Sequence, residues 1–133
     1  MTARNLQDRA KKAGLPWTFA KGFDTFLPIS PLITPNLIKD PQDCQLKLFI
    51  NNQLRQDDNT NLMVFKIPYL LAYVSNIMTL NEGDVILTGT PKGVGETKPG
   101  DKLHAELYSE NKLVQTLSTN IESTNINLNA NNI

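Results

Sequence analysis

The sequence has one cysteine, Cys44, and one histidine, His104. A lone cysteine excludes an internal disulfide and a cysteine-built zinc site, and its default setting is a reducing compartment, so a cytoplasmic location is expected. A lone histidine on a strand pattern with alternating polar neighbours is expected to be a hydrogen-bonded or surface residue rather than a catalytic base. An excess of either charge is also missing: thirteen basic and thirteen acidic side chains cancel, with no sustained basic run. That removes the electrostatic footprint of a nucleic-acid or anionic-membrane binder and leaves small neutral or acidic ligands as partners. No apolar run approaches the roughly 20 residues needed to span a bilayer, and the first residues show no charged segment followed by an apolar one.

What is present fits one soluble domain: 133 residues, 40% hydrophobic and 20% charged. Backbone instructions are densest from Thr79 to Gly95. Gly83-Asp84 reads as a turn, and Val85-Ile86-Leu87 as an apolar run filling a buried strand. A loop punctuated by Gly89, Pro91, Gly93 and Gly95 follows. Glycines let a backbone adopt positive φ and approach a ligand closely, and Thr88 and Thr90 add hydroxyls, so the loop reads as an anion cradle. It is not a phosphate loop of the Walker kind, because Lys92-Gly93-Val94-Gly95 lacks the Gly-Lys-Ser/Thr ending.

The remaining segments are punctuated as clearly. Thr2 to Gly14 reads as a short helix capped by Thr2 and stopped by Gly14, with Ala3, Leu6, Ala10 and Ala13 as its apolar stripe and Arg4 and Gln7 on a solvated side. Leu15 to Pro41 carries Pro16, Pro28, Pro31, Pro35 and Pro41, which excludes regular helix. Within it Lys21 sits among Trp17, Phe19 and Phe23, a setting for a desolvated lysine or one that snorkels over the rings. Gln45 to Asp57 reads as a hairpin turning at Asn51-Asn52. Pro68 starts a helix bearing Leu70, Leu71, Val74, Ile77 and Met78, expected to pack on a sheet. After a turn at Gly100-Asp101, Lys102 to Tyr108 and Leu113 to Ile121 read as antiparallel strands. The Asn-rich end, 123–133, has little to bury and is expected to be disordered.

Together these segments resemble the catalytic domain of the fumarylacetoacetate hydrolase family, in its acylpyruvate hydrolase and oxaloacetate decarboxylase branch. The resemblance rests on Thr2, Arg4 and Gln7, on Lys21, on Leu54-Arg55-Gln56, on Met63-Val64-Phe65-Lys66-Ile67-Pro68, and on Gly83 to Gly95. It implies a β-rich α+β fold, a mixed β-sandwich roll with short helices spanning 1–122 and truncated on its N-terminal side. The implied activity is divalent-metal-dependent hydrolysis of acylpyruvates or diketo acids, C–C bond cleavage through a pyruvate enolate. The alternatives are an oxaloacetate decarboxylase, tautomerase or isomerase of the same family, or a non-catalytic carboxylate-binding domain. By resemblance Lys21 holds or protonates the enolate, Arg4 and Gln7 bind the carbonyl end, and Thr90 with the Gly89 amide takes the carboxylate of a small 2-oxo acid.

The family's metal is Mg²⁺ or Mn²⁺, held by a Glu-x-Glu pair and an Asp, and its water is activated by a His-Glu dyad. Aligning the motif puts that Asp one residue before Met1, with the other groups earlier still, and Asn5 stands where the motif has Asp. The chain is therefore expected to be the C-terminal part of a longer enzyme, weak in metal binding alone. A homodimer or a separately encoded N-terminal half is the expected partner.

Overall fold

The computed structural model describes residues 1–123, so the Asn-rich tail lies, but for Ser123, outside the described residues. The chain divides into two compact units, Met1–Pro31 and Leu32–Ile133.

In the first unit, helix α1 (Arg4–Ala13) ends at Gly14, whose φ of 66° and amide bonds back to the Ala10 and Lys11 carbonyls make the left-handed stop the sequence calls for. Its N-cap is Ala3 and no side chain caps it. The expected Thr2 cap is thus corrected: the Thr2 hydroxyl is engaged by the Lys21 ammonium at 2.9 Å. Between Pro16 and Gly22 one turn of helix, α2 (Thr18–Lys21), forms where the prolines were expected to forbid it. Pro16 constrains only the residue before it and its own position, and a single turn fits in the gap. The Ala3 amide bonds the Ala20 carbonyl at 2.9 Å, tying the start of α1 to α2, and Leu6, Gln7 and Ala20 are buried.

The second unit is organised by a four-stranded antiparallel sheet in the order β2-β1-β3-β4. Strands β1 (Cys44–Ile50) and β2 (Gln53–Asn59) form the expected hairpin, and β3 (Lys102–Ser109) and β4 (Lys112–Asn120) form a second. Both turn through two residues of positive φ, Asn51 and Asn52 at 51° and 64°, Glu110 and Asn111 at 50° and 63°. That signature matches the right-handed twist of the flanking strands. Register puts Leu46 against Leu107, Leu48 against Ala105 and Ile50 against Leu103 on one face. The other face sets Lys47 against Glu106 and Phe49 against His104. Ile50 and Cys44 are buried, and burial pushes the Cys44 thiol up from its ordinary pKa, with Asp40 and Asp43 adding to the effect. His104 is the hydrogen-bonded residue expected, its Nδ1 lying 2.8 Å from the Ser118 hydroxyl.

Helix α3 (Ile67–Ser75) starts with Pro68 in its first turn, as expected. It buries none of its residues, so the expectation that it packs an apolar face on the sheet is corrected, and Ile77 and Met78 fall beyond its end. The buried strand expected at Val85-Ile86-Leu87 is corrected too. No ladder partner among the described residues holds it, and Val85 and Leu87 are 60% and 71% exposed. A strand exists only through the chain beside it, and the four strands of this sheet pair only with one another.

Candidate active site

The loop after Leu87 is fixed from beneath by β2. Gln56 Nε2 donates to the Thr90 hydroxyl at 3.0 Å and to the carbonyls of Pro91 and Lys92 at 2.9 and 3.1 Å. Gly93, at φ 96°, lies so close to β2 that an added Cβ would overlap the Arg55 carbonyl oxygen. One glutamine and one glycine therefore seat the loop on the hairpin. Gly89, at φ 104°, turns the chain with open space around it. Within the described residues the Gly89 and Thr90 amides donate to no protein group, which leaves two N–H donors beside a hydroxyl for an anion.

That loop forms one wall of a cleft of about 300 Å³. Thr88, Gly89, Thr90 and Pro91 face Leu46 of β1, Asp58 and Asn59 of β2, the Met63–Phe65 segment and Leu70 of α3. The volume suits a ligand at the small end of the usual range. Of the residues singled out in the sequence for the anion cradle, Thr88, Gly89, Thr90 and Pro91 line it. Asp58, Asn59 and Thr60 were missed, and the signal for them was the polar run from Asp57 to Asn61 set between a hairpin and a helix.

Lys21, Arg4 and Gln7 belong to the first unit. Lys21 is exposed, bonded to Thr2, so the desolvated setting among aromatic rings is corrected. Phe23 packs with Phe19 and Phe26, at centroid distances of 6.3 and 5.0 Å, instead. Arg4 is on the solvated side as expected, whereas Gln7 is corrected: at 5% exposed it lies on the buried side with Leu6.

A hard divalent cation takes about six oxygen ligands, several of them carboxylate. No group of three or more His, Cys, Asp or Glu side chains among the described residues could hold one. The cleft's oxygen donors are also engaged elsewhere. Asp58 lies 3.8 Å from the Lys92 ammonium, the Asn59 side-chain oxygen accepts from the Asn61 amide, and Thr60 Oγ1 accepts from Cys44 and donates to Pro41. The residues present do not fit a resident Mg²⁺ or Mn²⁺.

Residues 1–121 match the family described as Fumarylacetoacetate (FAA) hydrolase C-terminal. This chain belongs to the fumarylacetoacetate hydrolase family. It is 55% identical over 109 residues to a mitochondrial oxaloacetate tautomerase of Schizosaccharomyces pombe, covering 82% of this chain and 49% of the relative. Identity to the mitochondrial oxaloacetate tautomerase of Saccharomyces cerevisiae is 47% over 128 residues, 92% of this chain and 49% of the relative. Among solved structures, a yeast fumarylacetoacetate hydrolase family protein superposes with a TM-score of 0.87 at 48% identity, over 91% of this chain and 52% of that one. A maleylpyruvate hydrolase of Sphingobium, solved with manganese and pyruvate, gives a TM-score of 0.72 at 37% identity, over 78% of this chain and 38% of that one.

The family is one of enzymes, with hydrolases and tautomerases among these relatives, and the chain spans about half the length of the curated relatives it matches. The β-rich α+β fold is the family's. The cytoplasmic expectation is corrected, because both curated yeast relatives are mitochondrial. A lone cysteine speaks only for a reducing setting and does not separate one such compartment from another.

Proposed function

We propose that this chain supplies the carboxylate-binding part of an oxaloacetate keto–enol tautomerase, acting in the mitochondrion as its yeast relatives do. The observation that carries the reading is the Thr88–Pro91 loop, seated by Gln56 with its Gly89 and Thr90 amides free beside the Thr90 hydroxyl. Oxaloacetate brings a carboxylate next to a 2-oxo group, and an N–H pair with a hydroxyl is the complement of that carboxylate. Tautomerisation moves one proton between C3 and the 2-oxo oxygen, with no bond to carbon other than C–H broken and no water consumed. It therefore needs no water-activating dyad. Lys21, an exposed ammonium held by Thr2, has the chemistry to neutralise an enolate oxygen, and Arg4 that of a carbonyl donor.

Hydrolysis of acylpyruvates, the first reading of the sequence, needs an activated water in addition, and the tautomerase relatives support the simpler chemistry. The test is a backbone-amide NMR titration with oxalate, a planar dianion resembling the enolate end of the substrate. Shifts centred on Gly89 and Thr90, lost in Thr90→Val, are expected. Shifts absent from that loop would overturn the site. Ketonisation of enol-oxaloacetate and cleavage of acetylpyruvate, measured side by side, then separate the two activities: cleavage without ketonisation would restore the hydrolase.

A further inference from the structure

Among the residues that line the cleft, one side chain is titratable, Asp58 of β2. Its place follows from the hairpin. Side chains two apart on a strand share a face, so Asp58 stands on the side of β2 from which Gln56 reaches the loop, and its ladder partner is Leu46, which also lines the cleft. Gln56 holds Thr90, Pro91 and Lys92 from that face, and farther along it the Asp58 carboxylate meets the Lys92 ammonium, Oδ1 to Nζ at 3.8 Å. The Asp58 side chain is 13% exposed and that of Lys92 86%, so the carboxylate belongs to the cleft wall and the ammonium to solvent. At that separation the two make an ion pair without a hydrogen bond, and the carboxylate lone pairs remain available as acceptors. The other polar side chains of the wall, Thr88, Thr90, Asn59 and Thr60, are hydroxyls and an amide that do not take up a proton near neutral pH. His104 is set on the opposite face of the sheet, against Phe49.

We propose that Asp58 is the proton carrier of the tautomerisation, taking the proton of the enol hydroxyl and returning it at C3. The assignment rests on the tautomerase reading and deepens it. With the substrate carboxylate on Gly89 and Thr90, the 2-oxygen and C3 extend into the same cleft of about 300 Å³, where Asp58 is the one group with a proton acceptor's chemistry. In ketonisation one Asp58 oxygen accepts the hydroxyl proton as the C2–O bond becomes a carbonyl. The C2=C3 electron pair then takes that proton from the carboxylic acid so formed, and the carboxylate is restored. One O–H bond is broken, one C–H bond is made, and nothing is consumed. The two oxygens of a carboxylate flank one carbon, as the 2-oxygen and C3 flank C2, so a single group serves both ends without turning. Lys92 touches none of the reacting atoms; its ammonium offsets the negative charge that the substrate brings beside Asp58.

Asp58→Asn keeps the size of the side chain and removes the base. In the purified full chain it is expected to lower kcat for ketonisation of enol-oxaloacetate by about a hundredfold or more, the scale of a lost proton-transfer group, with KM little changed. Ketonisation run in deuterium oxide, with the product trapped at once by an NADH-dependent dehydrogenase, is expected to label one face of C3 in the unaltered chain and both faces in the variant. Oxalate-induced shifts at Gly89 and Thr90 are expected to persist in Asp58→Asn, which shows the loop still in place. Asp57→Asn, on the opposite face of β2 with its carboxylate accepting from Gln45 at 2.6 Å, is the control and should leave rate and labelling unchanged. An unchanged rate with one-sided labelling in Asp58→Asn, or loss of the oxalate shifts together with the rate, would overturn the proton carrier and leave the tautomerase reading standing. An unaltered chain that ketonises nothing is a different failure: it removes the tautomerase reading, and the proton carrier with it.

Discussion

The sheet and the segment from Thr79 to Gly95 both set apolar residues beside glycine- or asparagine-marked turns, yet one folds on itself and the other does not. Every strand of the sheet has its neighbour within the described residues: β1 is joined to β2 and β3 to β4 through two-residue turns, and the central β1–β3 ladder runs without a break from Cys44–Ser109 to Ile50–Leu103. Val85–Leu87 has the composition of a strand and no ladder among the described residues. Composition states what a residue tolerates, whereas a strand is a relation between two segments. The same holds for α3, where the 3.6-residue period of Leu70, Leu71 and Val74 does make a helix, yet none of its residues is buried and Ile77 and Met78 lie beyond it.

The two regions meet at Gly93, and the largest effect should come from breaking that junction. Gly93→Ala places a Cβ against the Arg55 carbonyl at a φ of 96°, and is expected to destabilise the second unit by roughly 2–3 kcal/mol in urea unfolding. Release of the loop without loss of the sheet, seen as intact far-ultraviolet circular dichroism with a disordered Gly89–Gly95 NMR signature, would sharpen the contrast further. Next in size is a change on the sheet's side. Asn52→Val forces a β-branched residue to a φ of 64°, expected to cost about 1–2 kcal/mol, whereas Asn52→Gly should be neutral or slightly stabilising. Equal losses for both variants would mean that the Asn side chain, not its backbone, matters.

How much was legible follows from where the instruction resides. Gly14, Asn51-Asn52, Pro68 and Gly100-Asp101 act through their own backbone geometry, and each stands where the sequence places it. The positions that failed depend on distant chain: Gln7 is buried at the α1–α2 contact, and Thr2 is drawn to Lys21 rather than to its own helix. The cleft was half legible. Gly89 and Thr90 announce themselves by residue type, but Gln56 becomes a clamp only once the hairpin brings β2 beneath a loop 34 residues away. Asp58 and Asn59 join the wall by the same register.

Gln56→Ala tests that clamp with a smaller expected effect. It removes a donor shared among Thr90, Pro91 and Lys92, and should lower stability by about 1 kcal/mol while weakening oxalate binding more than the sheet. Unchanged oxalate titration would separate loop position from carboxylate binding. The smallest effect concerns pH and the sheet alone. The Asp101 carboxylate accepts the Lys98 amide and the Asn51 side-chain amide, both at 2.7 Å, and these hold its pKa below the ordinary carboxylate range. Its contribution is therefore present above that range and lost as pH falls through the lowered value. Asp101→Asn should flatten this part of the acid limb, read as unfolding midpoints between neutral and acidic pH.

The most direct measurement is native-state amide hydrogen exchange of the chain by itself. The account predicts slow exchange along β1 and β3, whose central ladders are paired on both sides, and exchange at nearly unprotected rates for Val85, Ile86 and Leu87. Protection of those three amides equal to that of β1 would contradict it, because it would show that the run already has the partner strand the structure leaves out of its ladder.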